Sequence, residues 1–312
     1  MSAPSPTLLA LFAGLFAGVL FLLPRLAAAA PLLALPLSIA GLFSAAPLLG
    51  VRFQGRLIHS ILAVVAACML ISLIESPETA VGFLALFGVW ALVGGEVLSR
   101  KKSVIAAGLA GLALLALEAL LAGAVEGTAP LEETLRSPQV QASFDQWATQ
   151  AALEPGEAKL AIERVRKGIV TLYPSLSVIS AATIVALNAI ALGRLVQRSG
   201  LPGFPKGELL SLRWPLGLVV AFVASGALLL APDLHRVAWN GLVVTLFLFL
   251  LQGLSVLSFA LTRIFAGEWM RVVFVVASLL GPWAILLSLL GLFDQWFDFR
   301  SRLASAETPA AP

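Results

Sequence analysis

The sequence predicts an all-α protein, a polytopic transmembrane helix bundle of about nine spans with an amphipathic helical segment outside the membrane. Three observations carry this. Hydrophobic residues make up 60% of the 312 positions and charged residues 12%, whereas soluble domains carry about 25% charged residues. The mean hydropathy is +0.99. The apolar residues are also gathered into runs of about 20, each long enough to cross a hydrocarbon core of about 30 Å at 1.5 Å per residue. Between the runs lie short clusters of Arg, Lys, Pro and Gly.

The first run, Leu8 to Leu23, ends at Pro24 and Arg25. It reads as a span rather than a cleaved signal, because no Lys or Arg precedes it to form a positive n-region. Its Gly14 and Gly18 are four apart, the spacing that lets two helices approach closely, and internal packing is the expected use. Pro31 to Leu49, broken by Pro36 and Pro47, is the least regular segment and is followed by Arg52 and Arg56. Leu57 to Ile74 closes in the acidic turn Glu75, Ser76, Pro77, Glu78. The fourth span, Thr79 to Leu98, stops at Arg100, Lys101 and Lys102. The fifth, Val104 to Val125, contains Glu118, an intramembrane carboxyl of the kind that is costly and therefore a functional candidate.

Residues 126–168 form the one sizeable extramembrane insertion. Ser137 before Pro138 predicts a helix start, and Val140, Phe144, Trp147 and Ala151 recur on one helical face. Pro155 starts a second helix, with Leu160, Val165 and Ile169 on a face, that merges into the sixth span, Ile169 to Leu192. Pro174 should kink that span, and Asn188 is a buried amide near its far end. The seventh span, Trp214 to Leu230, ends at Pro232, Asp233, His235 and Arg236. The eighth, Trp239 to Arg263, carries Asn240 at one end and Gln252 beside Gly253 near its middle. The ninth, Val272 to Phe293, is interrupted by Gly281 and Pro282, and residues 301–312 are expected to form a disordered tail. Were the irregular second segment not to span, the count would be about eight.

Basic residues on alternate loops (Arg52, Arg56, Arg100, Lys101, Lys102, Arg194, Arg198, Lys206, Arg213, Arg263, Arg271) place the N-terminus in the cytoplasm. The net charge of +3 is distributed among these loops, a pattern that orients a membrane protein and excludes a nucleic-acid surface. The single cysteine, Cys68, rules out an intramolecular disulfide and a cysteine-rich metal site.

The sequence holds no HExxH, no GxxxxGK[ST] loop and no cysteine pair, and its two histidines, His59 and His235, are far apart. An enzyme is disfavoured, and no cofactor or metal is implied. The polar groups within spans are Glu118, Asn188, Asn240 and Gln252, each expected either to bind a ligand or to hydrogen-bond between helices. They are sparse, with no paired intramembrane charge. Trp147, Asp294, Trp296 and Arg300 are expected to anchor their segments at the membrane interface.

Asn188 and Arg194, the LRWP stretch Leu212 to Pro215, the LQGLSV stretch Leu251 to Val256 and the terminal GLFDQWFDFR from Gly291 to Arg300 together resemble the YybS-like family of bacterial multi-pass membrane proteins. The resemblance implies a bacterial inner-membrane location and no particular reaction. More remotely, the layout is similar to the substrate-binding S components of energy-coupling-factor vitamin transporters and to the cell-shape protein MreD. Two readings follow. A membrane-embedded interaction or regulatory protein would use its partners in the bilayer, lipid and other membrane proteins, with the amides as helix contacts. A substrate-binding or permease subunit would gather the same amides around a small-molecule ligand in a cavity of a few hundred Å³. An intramembrane lipid-acting enzyme, hinted at only by Asp233, His235 and Arg236, ranks last.

Overall fold

A computed structural model of the chain describes residues 5–26, 33–101, 103, 105–111, 113–114, 117, 129–152, 154–198, 211–264, 267–279 and 282–305. The described residues are predominantly helical, with no strand among them. Among the described residues, six helices are long and apolar enough to cross a membrane: Pro6–Arg25, Pro36–Gln54, Leu57–Ile74, Pro77–Arg100, Pro155–Arg194 and Pro232–Ile264. A bent pair, Trp269–Ser278 and Trp283–Phe297, would make a seventh, and Gly217–Leu228 is apolar but shorter. Most of the expected fifth span, Glu118 included, lies outside the described residues.

The chain divides into two compact units, residues 1–118 with 180–209, and residues 119–179 with 210–312. In the first unit, α1 (Pro6–Leu26) is followed by the half-helices α2 (Ala34–Gly41) and α3 (Ala45–Gln54). Next come α4 (Leu57–Ile74) and the run α5 (Pro77–Phe83), a π-helical turn (Leu84–Val89) and α6 (Trp90–Lys101). Helices α1 and α4 lie side by side in parallel. A methyl group on Gly14 would collide with the Ala63 backbone, and one on Gly18 would press on Leu70 and Ala67. The small-residue spacing is thus used for internal packing, as expected. Ser76 caps α5, accepting a hydrogen bond from the Thr79 amide at 3.2 Å, with Pro77 in the first turn where its missing N–H has no helical acceptor to lose.

The second segment differs from expectation. Its break falls at residues 42–44 rather than at the prolines. Pro36 and Pro47 each sit in the first turn of a half-helix, where proline is tolerated. The helix also continues to Gln54, so Arg52 belongs to a span and not to a loop. Arg52 and Arg100 both pair with Glu96 of α6, and Arg25 reaches Glu75 at 3.2 Å. These pairs put the ends of α3 and α6 on one side and those of α1 and α4 on the other.

In the second unit, α7 (Ala129–Leu135) and α8 (Pro138–Gln150) precede α9 (Pro155–Arg198), a helix of 44 residues that passes into the first unit. Residues 155–198 form one helix, the continuity expected between the second helix of the insertion and the sixth span. Of the face expected on α8, Val140 and Phe144 are half-buried while Trp147 and the following Ala151 are exposed, and Ala148 is buried; on α9, Ile169 is half-buried with Ala158 and Ile162, while Leu160 and Val165 are exposed. The Arg166 guanidinium lies 6.0 Å from the Phe144 ring centre and bonds Glu163 at 2.8 Å, its stem packing between the two helices.

The unit continues with α10 (Gly217–Leu228), a short 3₁₀ turn (Pro232–Leu234), α11 (His235–Ile264), α12 (Glu268–Ser278), α13 (Trp283–Phe297) and α14 (Phe299–Ser305). Helices α12 and α13 lie at 100° to one another, so the expected ninth span is not one straight helix. Pro282 at the N-cap of α13 explains the break, since proline cannot continue a helix from the preceding residue. Helix α14 carries the chain to Ser305, into the stretch expected to be a disordered tail. Helices α11 and α13 pack most closely: a methyl group on Gly253 would meet the Leu287 carbonyl, and one on Gly291 the Phe249 carbonyl.

Candidate functional site

The closest approach of α11 and α13 positions the densest set of polar contacts in the second unit. Gln252 is completely buried. Its Oε1 accepts hydrogen bonds from the Trp214 amide at 3.0 Å and from Gln295 Nε2 at 3.1 Å, and its own Nε2 donates to Asp294 Oδ2 at 3.0 Å. Asp294, also completely buried, accepts from Arg300 Nη2 on the same oxygen at 2.6 Å and from the Phe299 amide on Oδ1 at 3.0 Å. Arg300 donates further to the Leu212 carbonyl at 2.9 Å and to Ser255 Oγ at 3.3 Å. Gln295 Nε2 also reaches the Trp214 carbonyl at 2.9 Å, and the Trp214 indole donates to the Leu248 carbonyl at 2.7 Å.

The local backbone makes this possible. Asp298 ends α13 in the left-handed region, with φ 42° and ψ 61°, and that turn swings Phe299 and Arg300 back over Asp294. Arg213 lies 3.6 Å from the Asp298 carboxylate. Three stretches far apart in sequence, 212–215, 251–256 and 291–300, therefore meet in one buried lock.

Asp294 and Arg300, expected to be interfacial anchors, are held by protein partners in this lock. Asp294 is inside, and the pair is a charge-assisted hydrogen bond in which one carboxylate oxygen is shared between a guanidinium and an amide. The expectation of no paired charge within the spans is corrected by Arg52 and Glu96, which pair between the candidate spans Pro36–Gln54 and Pro77–Arg100. Trp296 is 57% exposed and Trp147 43% exposed.

Asn240 does something different. Its Oδ1 accepts from the Ser175 amide at 2.8 Å and its Nδ2 donates to the Thr171 carbonyl at 2.8 Å and to the Arg236 carbonyl at 2.7 Å. In an uninterrupted helix the Ser175 N–H would bond the Thr171 carbonyl directly. Beside Pro174, the Asn240 amide bonds to both of these groups. Asn240→Leu is expected to leave those two backbone groups without their partners and to destabilise the second unit by about 1–2 kcal/mol. Thermal unfolding in detergent, with amide hydrogen exchange at Ser175, checks it.

In the first unit, Asn188 is completely buried and donates from Nδ2 to the Leu42 carbonyl at 2.7 Å and to the Ile184 carbonyl at 2.8 Å. It thereby satisfies the break between α2 and α3. Its Oδ1 has no partner among the described residues. His235 lies 2.8 Å from the Leu229 carbonyl in an exposed turn, and Glu118 falls outside the described residues. Three cavities of about 510, 850 and 490 Å³ accompany these elements; Asn240 lines the third, and Gln252 and Asn188 line none of them.

Residues 6–295 match the family model described as "Predicted membrane protein (DUF2232)". The chain belongs to that family. No curated protein and no solved structure matches it. This DUF2232 chain is a multi-pass membrane protein, and the match runs through all of the lock except the last turn that delivers Arg300.

Sequence reasoning singled out Gln252, Asp294 and Arg300 but missed Glu96, Trp214, Ser255 and Gln295. The last three lie inside the LRWP, LQGLSV and GLFDQWFDFR stretches that carried the family resemblance. For Glu96, the i, i+4 spacing to Arg100 was the available signal.

Proposed function

We propose that this protein is a membrane-embedded interaction or regulatory protein, neither an enzyme nor a self-sufficient transporter. It sits in a bacterial cytoplasmic membrane with its N-terminus on the cytoplasmic side and docks other membrane proteins. The observation that carries the reading is Gln252: both ends of its amide are bonded to protein groups, and the carboxylate it meets is neutralised by Arg300. Such groups hold helices in register, and the amide of Gln252 has no end left for a ligand.

A second reading, a substrate-binding or permease subunit resembling an energy-coupling-factor S component, is favoured by one feature. The cavity of about 490 Å³ is bordered by Pro174, Ser175 and Asn240, and polar side chains within apolar spans mark substrate pathways in transporters.

Purification of the full chain from its host membranes into nanodiscs, with identification of what stays bound, separates the two. The interaction reading expects membrane partners without an ATPase, and Gln252→Leu lowering stability alone. An ATPase pair with a transmembrane coupling subunit, or a bound small molecule lost in Asn240→Leu, would establish the transport subunit instead.

A further inference from the structure

The cavity of about 850 Å³ lies wholly within the first unit and is not used by the reading above. Its lining runs along α1 from Pro6 to Leu20, a rise of about 21 Å, more than half the thickness of an about 30 Å hydrocarbon core. Leu9, Phe12, Phe16 and Phe43 line it, the first three exposed, and the small residues Ala13 and Gly50 lie deeper, half-buried and buried. One end is polar. Because α1 and α4 run parallel, Pro6 and Leu9 lie level with the turn between α3 and α4, where Gln54, Gly55 and His59 complete the lining.

The charges around that turn are unbalanced. Glu96 is engaged by both Arg52 and Arg100, and Arg52 also donates to the Gly55 carbonyl at 3.0 Å. Arg56, the N-cap of α4 and adjacent to Gly55, is exposed and pairs with no acid among the described residues. His59 Nδ1 is buried without a hydrogen-bond partner. A long apolar trough with an unpartnered imidazole nitrogen at one end, and an unpaired cation next to the lining residue Gly55, matches an amphiphile with a negative head.

We propose that this trough is a specific site for a membrane lipid with an anionic head group. One acyl chain lies against α1 between Phe12, Phe16 and Phe43, and the phosphate sits by Arg56 and His59. The bilayer supplies this occupant laterally, so no opening to water is required. The basic end is also where an anionic leaflet would place its head groups.

The test uses the full chain in nanodiscs containing equal phosphatidylglycerol and phosphatidylcholine, followed by delipidation and native mass spectrometry of the lipids retained. The wild type should retain phosphatidylglycerol about fivefold over phosphatidylcholine, since one unpaired arginine near a charged head contributes about 1 kcal/mol. Arg56→Gln with His59→Gln should abolish the preference while leaving chain occupancy. Ala13→Trp, which fills the trough, should retain neither lipid. Equal retention of both lipids by the wild type would overturn the proposal, as would an unchanged preference in the Arg56/His59 variant. Should Ala13→Trp not fold, the Arg56/His59 variant alone decides. A second copy of the chain found in the trough in place of lipid, seen as a lipid-free dimer, would also overturn it.

Discussion

Gly253→Ala and Gly291→Ala should each destabilise the second unit by more than about 3 kcal/mol, although alanine is the better helix former by about 1 kcal/mol. The cause is close backbone approach. The added methyl on residue 253 would be driven into the Leu287 carbonyl and come within 3.2 Å of the Gly291 amide nitrogen. On residue 291 it would strike the Phe249 carbonyl and lie 2.7 Å from the Gly253 nitrogen. Backbone atoms cannot move aside as a side-chain tip can, so α11 and α13 must separate and the bonds around Gln252 lengthen with them. Gly226→Ala in α10 is the control. Nothing lies within 4 Å of its added methyl, and that variant should be neutral or slightly stabilised. Thermal unfolding in detergent, read by fluorescence or by loss of the monodisperse peak, gives the comparison.

The second large effect is expected at Asp294. Asp294→Ala leaves the Arg300 guanidinium, only 12% exposed, without its carboxylate, and removes the acceptors of Gln252 Nε2 and the Phe299 amide. Breaking one side of a buried ion pair costs about 3–5 kcal/mol. Helix α14 should detach as well, because Phe299 and Arg300 hold its start to Asp294. Limited proteolysis should then cut the variant at 299–305 well before the wild type. Asp294→Asn keeps acceptor capacity for the Phe299 amide but loses the charge, so it should fall between the two.

The helical membrane architecture was legible in the sequence because apolar runs of span length have no other economical use, and the extramembrane helices showed in their caps and prolines. Gln252, Asn240 and Asn188 were identifiable because an amide within an apolar run requires a partner. Their partners were not identifiable, since Gln252 meets a carboxylate 42 residues away and Asn240 meets backbone 65 and 69 residues away. Asp294 was assigned to the interface on the strength of its neighbours Trp296 and Phe297. Those rings are exposed, but Asp294 precedes Trp296 by two residues and so lies about 160° round the helix from it, on the side that meets Gln252 of α11. Arg52 was counted with the loops because charge counting cannot tell a loop arginine from one at a span end whose carboxylate partner lies on another helix. The trough beside α1 depends on which small residues face it and had no signature in the sequence.

The buried polar residues described in this membrane protein fasten its helices to one another. A double-mutant cycle on Asp294 and Arg300, measured by thermal unfolding of Asp294→Ala, Arg300→Met and the combined variant in one detergent, tests this most directly. A fastening pair predicts strong coupling, with the combined variant more stable than Asp294→Ala because no uncompensated charge remains buried. Additive effects, or single variants that unfold at the wild-type temperature, would contradict it.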